Sequence, residues 1–309
     1  RVSRGLGDVY KRQNKYSVDL LAAINGSPTQ GFGYTTLMTN NGKMVNRGVE
    51  ITLSGEIIRQ KDFSWNASLL YAFNRNKVKH ISVQPSLWDS RISMPTSYPM
   101  VGKPLYGIYA YKWAGLNENG DPQVYDAENN VTSGPARDYH ALVYCGTTVP
   151  IHNASLTNVL RYKGFEFSAM LILDAGHKLR SSNIPSINMS NGRITSTAKG
   201  IVDRWTQPGD VTDVPRLLFS NDTENFNTHR TELYRYSDLF VYDASNIRLS
   251  NISLAYRVPA HWCKKISLSG ARLQFNVENV ATFAFDSKAN YDLGGKVKPN
   301  YVWGLYLNF

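Results

Sequence analysis

The last nine residues, Tyr301 to Phe309, constrain this chain more than any other stretch. Side chains of an extended strand alternate between two faces. Tyr301, Trp303, Leu305, Leu307 and Phe309 therefore share one face, with Val302, Gly304, Tyr306 and Asn308 on the other. One face is continuously apolar and aromatic, and about nine tilted residues suffice for a strand to cross a bilayer. A soluble edge strand can alternate in the same way, but it rarely closes a chain on Phe. Such a terminal strand is what outer-membrane barrels present to the machinery that inserts them, and that is the reading adopted here.

Seven further stretches read as strands: 15–24, 48–58, 63–74, 154–162, 165–174, 246–257 and 271–279. Segment 48–58 sets Val49, Ile51, Leu53 and Ile57 against Glu50, Thr52, Ser54 and Glu56. Segment 63–74 sets Phe63, Trp65, Leu69, Tyr71 and Phe73 against small polar residues. In 246–257 the apolar phase slips by one residue, from Ile247 and Leu249 to Ile252, Leu254 and Tyr256, which predicts a bulge near Asn251. No stretch of helical periodicity competes with these.

The connections sort by length. The turns at 59–62 and 163–164 are short, and 258–270 is intermediate. Those at 25–45, 76–153, 177–245 and 280–300 are long. Counting back from the terminal strand, every long connection falls on one side, provided 76–153 adds either no strand or two. Membrane barrels have short periplasmic turns and long external loops, and a soluble sandwich has no reason to sort its loops. Charges sort too: Glu50, Glu56, Glu166, Asp174, Arg272 and Glu278 all fall on the polar face of their strands. A Lys or Arg facing lipid at mid-bilayer costs about 2–4 kcal/mol, so the polar face is expected to be the lumen.

Composition agrees by what it excludes. Only 42% of residues are hydrophobic and the mean hydropathy is −0.35, with no apolar run long enough for a membrane-spanning helix. A barrel is compatible, because its strands hide their hydrophobicity in alternation. Nineteen Tyr and six Trp fit aromatic girdles, and equally a carbohydrate-binding β-domain. The net charge of +10 is scattered, with no basic stripe among aromatics, so no nucleic-acid partner is expected. Cys145 and Cys263 lie far apart without a ligand set and are read as unpaired thiols.

Ser3 to Gln13 resembles the conceptual translation of a common transposase sequencing adapter. Residues 1–13 are accordingly read as an artefact, expected to belong to no strand, and 14–309 as the natural portion. Removing Arg1, Arg4, Lys11, Arg12 and Asp8 takes away 4 − 1 = +3 of the +10, leaving +7.

Several blocks resemble the SusC/RagA family of TonB-linked outer-membrane transporters. They are Asn46-Arg47-Gly48-Val49-Glu50-Ile51-Thr52-Leu53, Lys61-Asp62-Phe63-Ser64-Trp65-Asn66-Ala67-Ser68, and Phe73-Asn74-Arg75-Asn76-Lys77-Val78. Tyr111-Lys112-Trp113-Ala114-Gly115-Leu116-Asn117 with Gly120-Asp121-Pro122, residues 243–256, and the ending from Pro299 belong with them. The resemblance covers nearly all of 14–309 in order. It implies an all-β antiparallel transmembrane barrel of the large plugged class, about 22 strands, of which this chain supplies the C-terminal part with long extracellular loops. It also implies uptake of oligosaccharides or peptides without enzymatic activity, a SusD-like surface lipoprotein as lid, and a TonB complex reached through an N-terminal region. The rival from the residues alone is a soluble secreted carbohydrate-binding β-sandwich.

Catalytic chemistry is absent from the pattern. No Cys/His cluster has zinc spacing and no phosphate loop or nucleophile elbow appears, so no cofactor or metal is expected. Asn117 to Asp121 looks faintly like a calcium loop but breaks its spacing and reads as an Asn-Gly turn. The long loops hold Tyr, Trp and Asn that could stack on sugars, and no single residue stands out among them.

Overall fold

The computed structural model describes residues 6–25, 36–81, 90–134, 138–189, 198–219, 228–294 and 298–309. Eight strands form one antiparallel sheet: β1 (Leu6–Asn25), β2 (Thr36–Arg59), β3 (Phe63–Ile81), β4 (His152–Tyr162), β5 (Phe165–Ala175), β6 (Asn246–Arg257), β7 (Gly270–Ala284) and β8 (Asn300–Asn308). Each pairs with its neighbours in chain order. A sandwich needs two such sheets packed face to face. Among the described residues this is a single meander whose apolar face is uncovered, with Leu305 61% and Trp303 79% exposed. The soluble-sandwich reading fails on that point.

Region 76–153 adds no strand to the sheet, because β3 pairs directly with β4. Connections at 60–62, 163–164 and 258–269 therefore alternate with those at 26–35, 82–151, 176–245 and 285–299, and the two longest, 82–151 and 176–245, fall on the same side. The length sorting is incomplete, because β1 and β2 extend until 26–35 is shorter than 258–269. The bulge in β6 falls at Ser250, where pairing to both neighbours jumps from Leu249 to Asn251. A second, between Glu56 and Ile58, puts Ile58 rather than Ile57 opposite Trp65.

Strands β2 and β3 run well past the apolar alternation, because ladder hydrogen bonds are made by backbone and need no apolar face to continue. The same fact overturns the expectation for the N-terminus. Leu6 to Gln13 belongs to β1 and pairs with Gly55 to Gly48 of β2. An edge strand of any sequence can add to an open ladder. Its side chains fit poorly, however: Asp8 stands opposite Leu53 and Arg12 opposite Val49, on a face otherwise apolar at that level. Residues 1–5 lie outside the described residues.

The ladders fix two faces. Across β3–β6, Phe63, Tyr162, Phe165 and Tyr256 stand opposite one another beside the short turns, with the Phe165 and Tyr256 rings 4.5 Å apart. Tyr71, Phe73 and Phe283 hold the same face toward the long loops, and leucines 53, 69, 156, 171 and 249 form a row between. From Phe63 to Phe73 is 73 − 63 = 10 residues. At about 3.4 Å each and a tilt near 40°, that is roughly 26 Å of height, against an apolar band of about 25 Å in membrane barrels.

Candidate functional site: polar face and long-loop cap

The opposite face carries the charges. Glu56 pairs with Asn66, and that row continues through Val159, Ser168 and Ser253 to Asn276, two residues from Glu278. Glu50 sits on the same face opposite Ala72, and Glu166 opposite Arg161. Arg161 donates from Nε to Glu166 Oε2 at 2.7 Å, and Arg272 Nη2 donates to Oε1 at 3.1 Å. Nearer the long loops, Asp174 accepts from Asn153 Nδ2 at 2.7 Å and Arg248 Nη2 at 2.7 Å. Glu50 approaches Lys11 at 3.9 Å and Glu56 pairs with Arg59 at 3.4 Å. Glu278 makes no ion pair among the described residues.

These six residues line a single face, separate from Tyr301, Trp303, Leu305 and Leu307, which pair with Val277, Phe275, Leu273 and Ala271 on the other. The face is formed as strips of charge joined by amides and hydroxyls rather than as one tight cluster. It can hydrogen-bond and solvate a polar solute. Among the described residues it has no nucleophile held by a base, and His177, close to Asp174 in sequence, is buried.

Segments of the two longest loops fold together at one end of the sheet. Their core is aromatic: Tyr109, Tyr111, Val124, Leu142 and Leu233 are buried, with Trp113 and Tyr144 packed against them. Tyr234 joins Ile187 and Phe240 in an adjoining cluster. These tyrosines are thus structural, not a stacking platform for sugars, since burial of a large ring stabilises far more than exposure would. Burial pushes the Tyr234 hydroxyl well above the ordinary tyrosine range.

Three arginines, of which Arg230 is buried, pin the cap. Arg230, 3% exposed, donates to Asp121 Oδ1 at 3.0 Å, Asn188 Oδ1 at 2.8 Å and the Arg216 carbonyl at 2.7 Å. Arg216 takes both oxygens of Asp121, at 3.1 and 2.8 Å. Asn117 to Asp121 is a turn in which Asn117 Oδ1 accepts from the Asn119 and Asp121 amides, both at 2.9 Å. Gly120 there has φ 73° and lies against Trp205, with a Cβ position only 2.4 Å from the indole. Arg180 donates to the carbonyls of Tyr109 (2.7 Å), Ser237 (3.2 Å) and Arg235 (3.2 Å). Burial lowers both Arg180 and Arg230 from the usual guanidinium range, and the Asp121 carboxylate opposes this at Arg230. Nothing in residue spacing announces this network, whose members come from four separate segments.

At the cap base, Lys178 donates to Asp243 Oδ2 at 3.0 Å and the Ser245 amide donates to its Oδ1 at 2.8 Å. Burial acts to raise the Asp243 carboxyl, but the Ser245 hydrogen bonds and the Lys178 ammonium prevail and hold it at about 2. Cys145 and Cys263 are both free thiols, and burial lifts Cys145 to about 11.

No family model matches the chain. It is 24% identical over 294 residues to TonB-dependent receptor P3 of Formosa agariphila, covering 88% of this chain and 28% of that receptor. It is 22% identical over 293 residues to TonB-dependent receptor SusC of Bacteroides thetaiotaomicron, covering 90% and 26%. The solved RagAB peptide transporter shares the fold, with a TM-score of 0.73 at 21% identity over 98% of this chain and 33% of that one. The chain thus spans about a quarter to a third of the length of these relatives. Its meander of strands, its two longest loops on one side and its sorted faces are those of a barrel wall, and along nearly its whole length the chain is similar to the C-terminal part of SusC/RagA-type TonB-dependent receptors.

Proposed function

We propose that the whole protein imports oligosaccharides or peptides across the outer membrane with energy from TonB, as a receptor and not an enzyme. In this reading Glu50, Glu56, Glu166, Asp174, Arg272 and Glu278 face an aqueous lumen, and the packed loops form the external mouth. The observation that carries it is the sorting of charge. On β2–β8 the ladders put all six on one face and leave the other, from Phe63 to Phe73, without charge and apolar but for Asn158. A bilayer on the apolar side and water on the other is the solvent arrangement that makes both faces favourable. A SusD-like surface lipoprotein would close the mouth, and the barrel assembly machinery would read Tyr301–Phe309.

A strain lacking the intact gene is expected to lose uptake of one class among defined glycans and peptides. Unchanged uptake of all of them would sink the proposal. Alternating carboxylates and guanidiniums suit a zwitterionic peptide as well as a hydroxyl-rich glycan, so the same growth panel also decides the class.

A further inference from the structure

The outward face of β2–β8 is free of charged side chains except in one place. Just past Phe73, toward the long loops, Arg47 stands directly opposite Arg75, and Val45 opposite Lys77. With Lys79, these residues line a cleft of about 410 Å³ whose floor is Val45 and Phe73. Lys43 follows on the same strand face. Arg47, Arg75, Lys77 and Lys79 are exposed, and none has a carboxylate within ion-pair distance among the described residues. Like charges directly opposite across a ladder destabilise it. Two arginines so placed, with two lysines beside them and no counter-ion among the described residues, call for an anion from outside.

Position identifies that anion. The cluster sits immediately above the end of the apolar band, on the external side, where lipid headgroups lie. Its apolar floor continues into the lipid-facing surface through Val49 and Ile51. We propose that this cleft binds the phosphate of an anionic lipid of the external leaflet. The guanidiniums of Arg47 and Arg75 would clamp the phosphate oxygens, since Arg suits planar, bidentate phosphate recognition. Lys77 and Lys79 supply further charge, and the acyl chains run down over Val45 and Phe73. The site rests on the reading of this face as the outward wall.

The test uses the intact receptor, purified and placed in phosphatidylethanolamine vesicles with or without bis-phosphorylated lipid A. The wild type is expected to retain lipid A through purification and to melt at a higher temperature with it. Combined R47Q, R75Q, K77Q and K79Q should weaken retention by about tenfold or more without lowering the amount in the membrane. Should the fourfold variant fail to insert, R75Q alone is expected to show an intermediate loss. Dephosphorylated lipid A should give no stabilisation, and neither should inorganic phosphate. Equal retention by the variants would overturn the site, and stabilisation by inorganic phosphate alone would reassign it to a free anion. Failure of the wild type to fractionate with the outer membrane would instead overturn the wall reading.

Discussion

Arg272 of β7 reaches across β6 to Glu166 of β5, with Nη2 3.1 Å from Oε1, while Arg161 of β4 holds the other oxygen. Two strand spacings are about 9.6 Å, a gap that two long side chains can close only if both project from the same face. The contact ties together residues 106 apart in sequence and orients the polar face beside the short turns. The pair is about one-third exposed on both sides. Glu166→Ala should therefore cost under about 1 kcal/mol of stability, with any larger effect appearing in uptake.

The two faces make opposite predictions for neighbouring positions on β5. Leu171 lies in the leucine row midway along the apolar face, and Met170 points to the other. Leu171→Arg should cost about 2–4 kcal/mol, and Met170→Arg close to nothing. Quantitative unfolding of the intact receptor in lipid checks this. Equal costs would mean that the faces do not meet different solvents.

Asp121 joins two arginines, one of them almost wholly buried. Removing one partner of a buried pair costs about 3–5 kcal/mol because the remaining charge is stranded. Asp121→Ala should therefore release the long-loop cap while leaving the sheet inserted. Protease cleavage within 82–151 and 176–245 should rise, with membrane-resident protein unchanged.

Acid should loosen the same cap. Asp243 is held at about 2 in the folded state, below the ordinary carboxylate value near 3.9. A depressed carboxylate stabilises above its unfolded value and loses that contribution as pH falls from about 4 through 2. Pepsin accessibility of the cap should rise across that window, and Asp243→Asn should be flat there.

Phe309 is 92% exposed, so its removal takes little from the finished fold. Burying one such side chain is worth about 1.5–3 kcal/mol at most. Phe309→Ser should lower the amount inserted while leaving uptake per inserted molecule near normal. Normal insertion with defective uptake would assign this end to transport instead.

Asp8 and Arg12 stand on the apolar face of β1, where a bilayer would penalise both. We propose that residues 1–13 are absent from the natural protein. Peptide mass spectrometry of the natural receptor should find Asn14 preceded by a different sequence.

Alternation alone determined the wall. Period two shows in each strand without knowledge of its neighbours, because a residue's solvent depends only on which face it occupies. That is why strands such as 165–174 and 246–257, the β6 slip and the short turns could be read directly. The ends of β2 and β3 could not, since beyond Phe73 the ladder continues through backbone alone and leaves no apolar trace. The cap was equally hidden: Arg216 and Arg230 meet Asp121, and Arg180 meets the Tyr109 carbonyl, only because two long loops fold against each other. Arg47 and Arg75 each look like an ordinary polar-rim residue in sequence. Only strand register sets them face to face, and register is a property of two strands together, which neither specifies by itself.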